Sequence, residues 1–171
     1  MDKYKIGLYE KAMKNTLSWK EKLQCAKECG YDYLEISIDA TDEKINRIFM
    51  DKEEIKEIME AVFETEIPIG SMSVSALTKY ALGDPSETVR EKAMQIAGKS
   101  IELASVLGVR TVMIPGYDIY YGESTVETKR FFLENVKKIA EIAEQEGILV
   151  GFETMENNFM NTTGKAVQYV N

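Results

Sequence analysis

The sequence has no histidine in its 171 residues. That excludes nucleophiles activated by an imidazole base and zinc sites of the Cys/His kind. Acid–base chemistry is left to carboxylates. Cysteine is nearly as scarce: Cys25 and Cys29 stand alone, four residues apart and so on one helical face. The N-terminal stretch MDKYKIGLYEK has no secretory h-region, so this pair reads as reduced thiols rather than a disulfide. A metal held by the pair would need further ligands, and none lies nearby in sequence. Long apolar runs are missing too. Nothing approaches the roughly 20 residues of a membrane helix, and a cytoplasmic location is expected. Positive charge is in deficit, with a net charge of −8, four arginines and no basic cluster. Nucleic acids and anionic membranes both require a positive patch, so neither is expected as a main partner. Small molecules are.

What is present suits one globular domain, expected over residues 1–171, with 44% hydrophobic and 29% charged residues. Strand candidates are Ile6–Tyr9, Tyr33–Ile38, Ile67–Val74, Thr111–Ile114 and Ile148–Phe152. Between them run stripes of helical period. Ile55, Ile58, Met59, Val62 and Phe63 form one, and Phe132, Val136, Ile139, Ala140 and Ala143 another. Val89, Ala93, Ile96, Ala97, Ile101 and Ala104 form a third. Helix starts are expected at Asp51-Lys-Glu-Glu54, Asp84-Pro-Ser-Glu87 and Ser124-Thr-Val-Glu127, each with a capping acceptor and a carboxylate three residues on. Helix ends are expected at Gly30, Gly108 and Gly147, each running at once into "GYDYLEI", "GVRTVMI" and "GILVGFE". These phrases repeat one βα unit, and five units fit the chain. The near-continuous apolar runs predict parallel strands covered on both faces, hence an α/β fold. Two architectures share this period: a five-stranded doubly wound, flavodoxin-like domain and the first five units of a (β/α)8 TIM barrel. Size favours the first. The first loop, YEKAMKN, disfavours it, having no glycine-rich phosphate cradle.

In either fold, function gathers at the carboxyl ends of the strands. Those ends carry Tyr9 and Glu10; Glu35 and Ser37; Ser71, Ser73 and Ser75; Gly116, Tyr117, Asp118, Tyr120 and Tyr121; and Glu153 with Glu156. A polar rim of this kind suits a polyol or a hard cation that takes oxygen ligands. Glu153 is the leading candidate, because an unpaired carboxylate on a core strand is costly without a cation or substrate to compensate it. Each of the others also has a structural reading. Glu10 could open a solvated helical turn, Glu35 could pair within the fold, the serines could satisfy loop backbone, and the tyrosines could pack.

Several phrases taken together resemble the L-ribulose-5-phosphate (L-xylulose-5-phosphate) 3-epimerases, also described as hexulose-6-phosphate isomerases. They are "IGLYEKAM", "GYDYLEIS", "SMSVSA", "PGYDIYYGES" and "GFETME", in order along essentially the whole chain. The resemblance implies a partial TIM barrel of the xylose-isomerase-like superfamily, formed by its first five βα units. It also implies a pentulose 5-phosphate substrate, a divalent metal, and proton transfer at C3 through an enediolate between two glutamates. Glu153 matches the family's fifth-strand glutamate, which is both metal ligand and acid–base group. Tyr9, Glu10, Glu35, Ser73, Tyr117 and Asp118 are the expected substrate contacts. Two departures stand out. The family's remaining ligands come from strands six to eight, beyond this sequence, so tight metal binding and turnover by this chain are not expected. Where the family carries a histidine after the third strand, this chain reads Ser75-Ala-Leu-Thr-Lys79. A truncated barrel leaves strand edges open, so a homo-oligomer that covers them is expected. A non-catalytic sugar-binding remnant is the alternative.

Overall fold

The computed structural model describes residues 4–170. Five parallel strands form one sheet in chain order: β1 (Gly7–Tyr9), β2 (Tyr33–Ser37), β3 (Ile69–Ser73), β4 (Thr111–Pro115) and β5 (Leu149–Glu153). The connections carry the helices α1 (Trp19–Glu28), α2 (Asp42–Asn46), α3 (Lys52–Thr65), α4 (Glu87–Val106) and α5 (Val126–Glu146). The short helix α6 (Thr163–Ala166) follows β5. Sequential strand order with a helix in each crossover is the TIM-barrel pattern, here of five units. The 2-1-3-4-5 order of a flavodoxin-like sheet is excluded.

Local chemistry sets the turns. Gly30, Gly108 and Gly147 adopt φ of 79°, 72° and 66°, left-handed values that let the chain leave a helix and enter the next strand within a few residues. Asp51 caps α3 as expected, accepting from the N–H groups of Glu53 and Glu54, while Glu54 returns a bond to the Asp51 N–H. The other two starts differ. The cap of α5 is Thr125, paired with Thr128, and Ser124 turns its hydroxyl to Asp118. The cap position of α4 is Ser86, which makes no side-chain bond to the helix, and Asp84 accepts from the Ser86 N–H in the turn before it.

Register assigns the two faces of the sheet. Leu34, Ile36, Met72, Val112 and Ile114 point outward and are buried against the helices, the last four in one cluster with Ile58, Ile96, Ile101, Phe132 and Ile139, and Leu34 in a second with Leu23, Ala26, Ala61 and Ile67. Each such side chain contributes about 1.5–3 kcal/mol by leaving water. The opposite parity, Tyr9, Glu35, Ser37, Ser71, Ser73, Met113, Gly151 and Glu153, lies on the inner face. This corrects the expectation of two covered faces. The inner face is polar and partly open, and a side chain added at Gly151 would meet nothing within 4 Å. The lower end is closed differently: the Tyr33 ring fills the space over Gly7 and Gly70, where any Cβ would collide with it. The α3 stripe is also narrower than its period suggests. Ile58 is buried, but Met59 and Phe63 face solvent, Phe63 at 85% exposure. In α5, Ala140 is exposed.

Candidate active site

The inner face and the loops at the carboxyl ends of β1–β5 gather the polar side chains. Tyr9 and Glu35 are register partners on β1 and β2, and Glu35 pairs with Ser71 on β3. The Ser71 hydroxyl donates to Glu35 Oε2 at 2.6 Å. The Tyr9 hydroxyl lies 3.4 Å from Ser37 Oγ, and Ser37 is the register partner of Ser73. Lys11, just past Tyr9, adds a cation at the mouth, its Nζ 3.1 Å from Ser75 Oγ and 3.5 Å from Asp39 Oδ2. Sequence reasoning passed over Lys11. Its place in "YEKA", one residue past a strand-end carboxylate, was the available signal.

Glu10 does not open a solvated turn. It is 1% exposed, and its carboxylate is the centre of an ion cluster. Lys22 and Lys44 each donate to Oε1 at 2.7 Å. Arg47 donates to both oxygens, at 2.6 and 2.8 Å, and the Ser37 N–H donates to Oε2 at 3.0 Å. Burial by itself pushes the Glu10 carboxyl up, but the Arg47 guanidinium and the two ammonium groups outweigh it and hold it far below the usual carboxylate range. Glu10 therefore ties β1, β2 and the segment after α2 together at the mouth.

On the far side, Tyr117 is 3% exposed, and its hydroxyl donates to Glu156 Oε2 at 2.8 Å. Burial first, and then the Glu156 charge, raise the Tyr117 phenol, so it stays protonated as a donor. Asp118 is fully buried and accepts at Oδ2 from Ser124 and Thr128, at 2.7 and 2.6 Å. It pins the β4–α5 loop to the start of α5. Glu153 ends β5 on the inner face and is exposed. The cost of a buried, unpaired carboxylate consequently does not apply to it: β5 is an edge strand, and its inner side is open. Of the expected contacts, Tyr9, Glu35, Ser73 and Glu153 share the inner face, while Glu10 and Asp118 are turned into the protein behind it. Cys25 and Cys29 are free thiols, Cys29 exposed. Among the described residues, no three His, Cys, Asp or Glu side chains converge to hold a metal ion. The residues present therefore do not form the divalent site that the family resemblance implies. No described helix is long and apolar enough to cross a membrane.

A sequential parallel sheet with a helix in each crossover and polar groups at the carboxyl ends of its strands defines a TIM-barrel protein, here of five units. The chain belongs to the xylose isomerase-like TIM barrel family, whose model matches residues 23–171. It is 38% identical over 165 residues to SgbU of Escherichia coli (strain K12), covering 96% of this chain and 58% of that protein. To the L-ribulose-5-phosphate 3-epimerase UlaE of Escherichia coli O157:H7 it is 35% identical over 164 residues, with the same coverage. The chain thus spans somewhat over half the length of the curated relatives it matches. Among solved structures, D-psicose 3-epimerase of Clostridium cellulolyticum H10 with D-tagatose superposes at a TM-score of 0.79 with 19% identity, covering 98% of this chain and 59% of that one. D-allulose 3-epimerase of Methylomonas sp. in complex with D-allulose superposes at 0.76 with 18% identity, covering 97% and 57%. At these identities the structures share the fold.

Proposed function

We propose that this chain builds the first five βα units of a sugar-phosphate 3-epimerase that interconverts L-ribulose 5-phosphate and L-xylulose 5-phosphate. The observation that carries the reading is Glu153, an exposed carboxylate at the carboxyl end of β5, on the same polar face as Tyr9, Glu35 and Ser73. In the proposed reaction Glu153 takes the proton from C3 of the sugar. The C–H electron pair moves into a C2–C3 enediolate, with negative charge on the C2 oxygen; inversion then needs a second carboxylic acid on the opposite face to give a proton to C3, a group that none of the residues named here supplies. Tyr9, Glu35 and Ser73 hold sugar hydroxyls. Tyr117 shapes the far wall through Glu156, and Lys11 offers charge to the phosphate end. Glu10 and Asp118 bear on the substrate from behind, by fixing the strand ends that carry these groups.

A divalent ion would polarise the C2 carbonyl. The described residues form no site for it, so no step is assigned through it, and these residues alone are expected to give little or no turnover. That same observation favours a second reading, sugar binding without chemistry. Self-association belongs to the proposal as well. Ile6, just before edge strand β1, is 61% exposed, and Leu149, on edge strand β5, is 70% exposed, so a second copy would cover apolar surface at the sheet edges.

The test is a chimera in which this chain replaces the matching segment of UlaE. Epimerisation of L-ribulose 5-phosphate by the chimera that disappears with Glu153→Gln supports the reading. A folded chimera whose activity is indifferent to Glu153 sinks it.

A further inference from the structure

The Glu10 cluster is not balanced. Three cations, Lys22, Lys44 and Arg47, with side chains 1–8% exposed, surround one carboxylate. Among the described residues, no other carboxylate comes within 4 Å of any of the three. Asp39, whose charge is felt by Lys44, is committed to Thr41 and Lys11. Two positive charges are left over in a buried setting, where burial first and then the neighbouring Arg47 and Lys22 charges lower the Lys44 ammonium; such an arrangement is costly unless an anion compensates it. Lys22 uses one of its three protons on Glu10, as does Lys44.

Lys22 and Arg47 also line a cavity of about 330 Å³ on the outer side of the cluster, between α1, α2 and α3. Trp19 forms part of its wall, with Lys22 Nζ and Arg47 Cζ each 4.8 Å from its rings. Glu43, Glu54 and Glu57, all exposed, also line it, with Glu54 Oε2 already accepting from the Asp51 N–H. The lining therefore offers donors to an oxyanion at Lys22 and Arg47, and at the glutamates acceptors that repel a second negative charge. We infer that this cavity is a binding site for a small oxyanion, carboxylate or phosphate, carried by a molecule whose other end bears hydroxyl or amino groups. Lys22 takes the oxyanion with the protons that Glu10 leaves free, and Arg47 with the N–H groups given neither to Glu10 nor to the Ser37 carbonyl; Trp19 packs against the carbon chain, and the glutamates receive the polar tail. The site is built by the outer helices rather than the inner face of the sheet. It goes beyond the epimerase reading and does not rest on it.

Trp19 is the sole tryptophan and lines the cavity, so a change there is read in its fluorescence. Titration of the 171-residue protein with glycerol 3-phosphate and, separately, with glycerate tests the phosphate and carboxylate sources, and glycerol serves as the uncharged control. The expected result is a saturable change in Trp19 emission with at least one anion and none with glycerol. A site of one or two charge-assisted bonds places the Kd near roughly 1 mM. Asn46→Asp, at an exposed lining position, adds a repelling charge without touching the core and should weaken binding by about tenfold or more. Lys22→Met should abolish it. Lys11→Met, at the barrel mouth, should leave it unchanged. The inference is overturned if the folded protein gives no saturable response up to about 50 mM of either anion, far above that Kd. An equal response to glycerol, a response indifferent to Asn46→Asp, or one lost in Lys11→Met would also overturn it.

Discussion

Arg47 clamps Glu10 with both terminal nitrogens, at 2.6 and 2.8 Å, across 37 residues of chain and inside the protein. Removing Glu10 would leave three cations with no counter-charge. Glu10→Gln is expected to destabilise the fold by about 3–5 kcal/mol, since breaking a buried pair costs far more than the pair contributes. Urea denaturation of the two proteins measures it. A loss below about 1 kcal/mol would mean that water already reaches the cluster.

The same pair sets an acid limit. The folded pKa of Glu10 lies below its unfolded value of about 4.3, so its stabilisation is present above that pH. It is lost as the pH falls toward the folded value. Stability measured from pH 6 downward should therefore decline steeply below about pH 4.3 in the wild type. Glu10→Gln should flatten that part of the curve, and parallel curves would refute the assignment.

Tyr33 stands over Gly7 and Gly70, and a methyl group at either position would overlap its ring. Gly70→Ala should cost about 1–3 kcal/mol as overpacking. Combined with Tyr33→Ala, most of the Gly70→Ala penalty should vanish in a double-mutant cycle. Additive losses would show that the backbone at Gly70, rather than the ring, is at fault.

Leu149 is 70% exposed on edge strand β5. If copies of the chain cover this edge, Leu149→Lys should shift the protein toward monomer in analytical ultracentrifugation without lowering its melting temperature. A wild type that is already monomeric at high concentration ends the self-association proposal.

Much of this organisation was legible in the sequence. A glycine followed at once by an apolar run marked β2, β4 and β5 correctly, because one left-handed residue is the local requirement of an αβ turn. The site was legible in part. Glu153 and Tyr9 were found as strand ends, but the environment of Glu153 was misjudged. "ILVGFE" reads as a buried strand, and period alone does not say which strand will form an edge. Glu10 was harder still. Its partners lie 12, 34 and 37 residues away, and lysines on amphipathic segments normally face water. The caps of α4 and α5 slipped by one or two residues because Asp84 and Ser124 are drawn into loop contacts of their own.

The central claim is that these residues supply a sugar-binding face and one base without the rest of the catalytic machinery. Its most direct test is to incubate the 171-residue protein with L-ribulose 5-phosphate and manganese in heavy water and to follow the C3 proton by NMR. Broadening of the sugar resonances by the protein, with no deuterium at C3 over hours, is the predicted result. Deuterium uptake that disappears in Glu153→Gln would contradict it, and would show that this chain alone assembles a working centre for proton transfer.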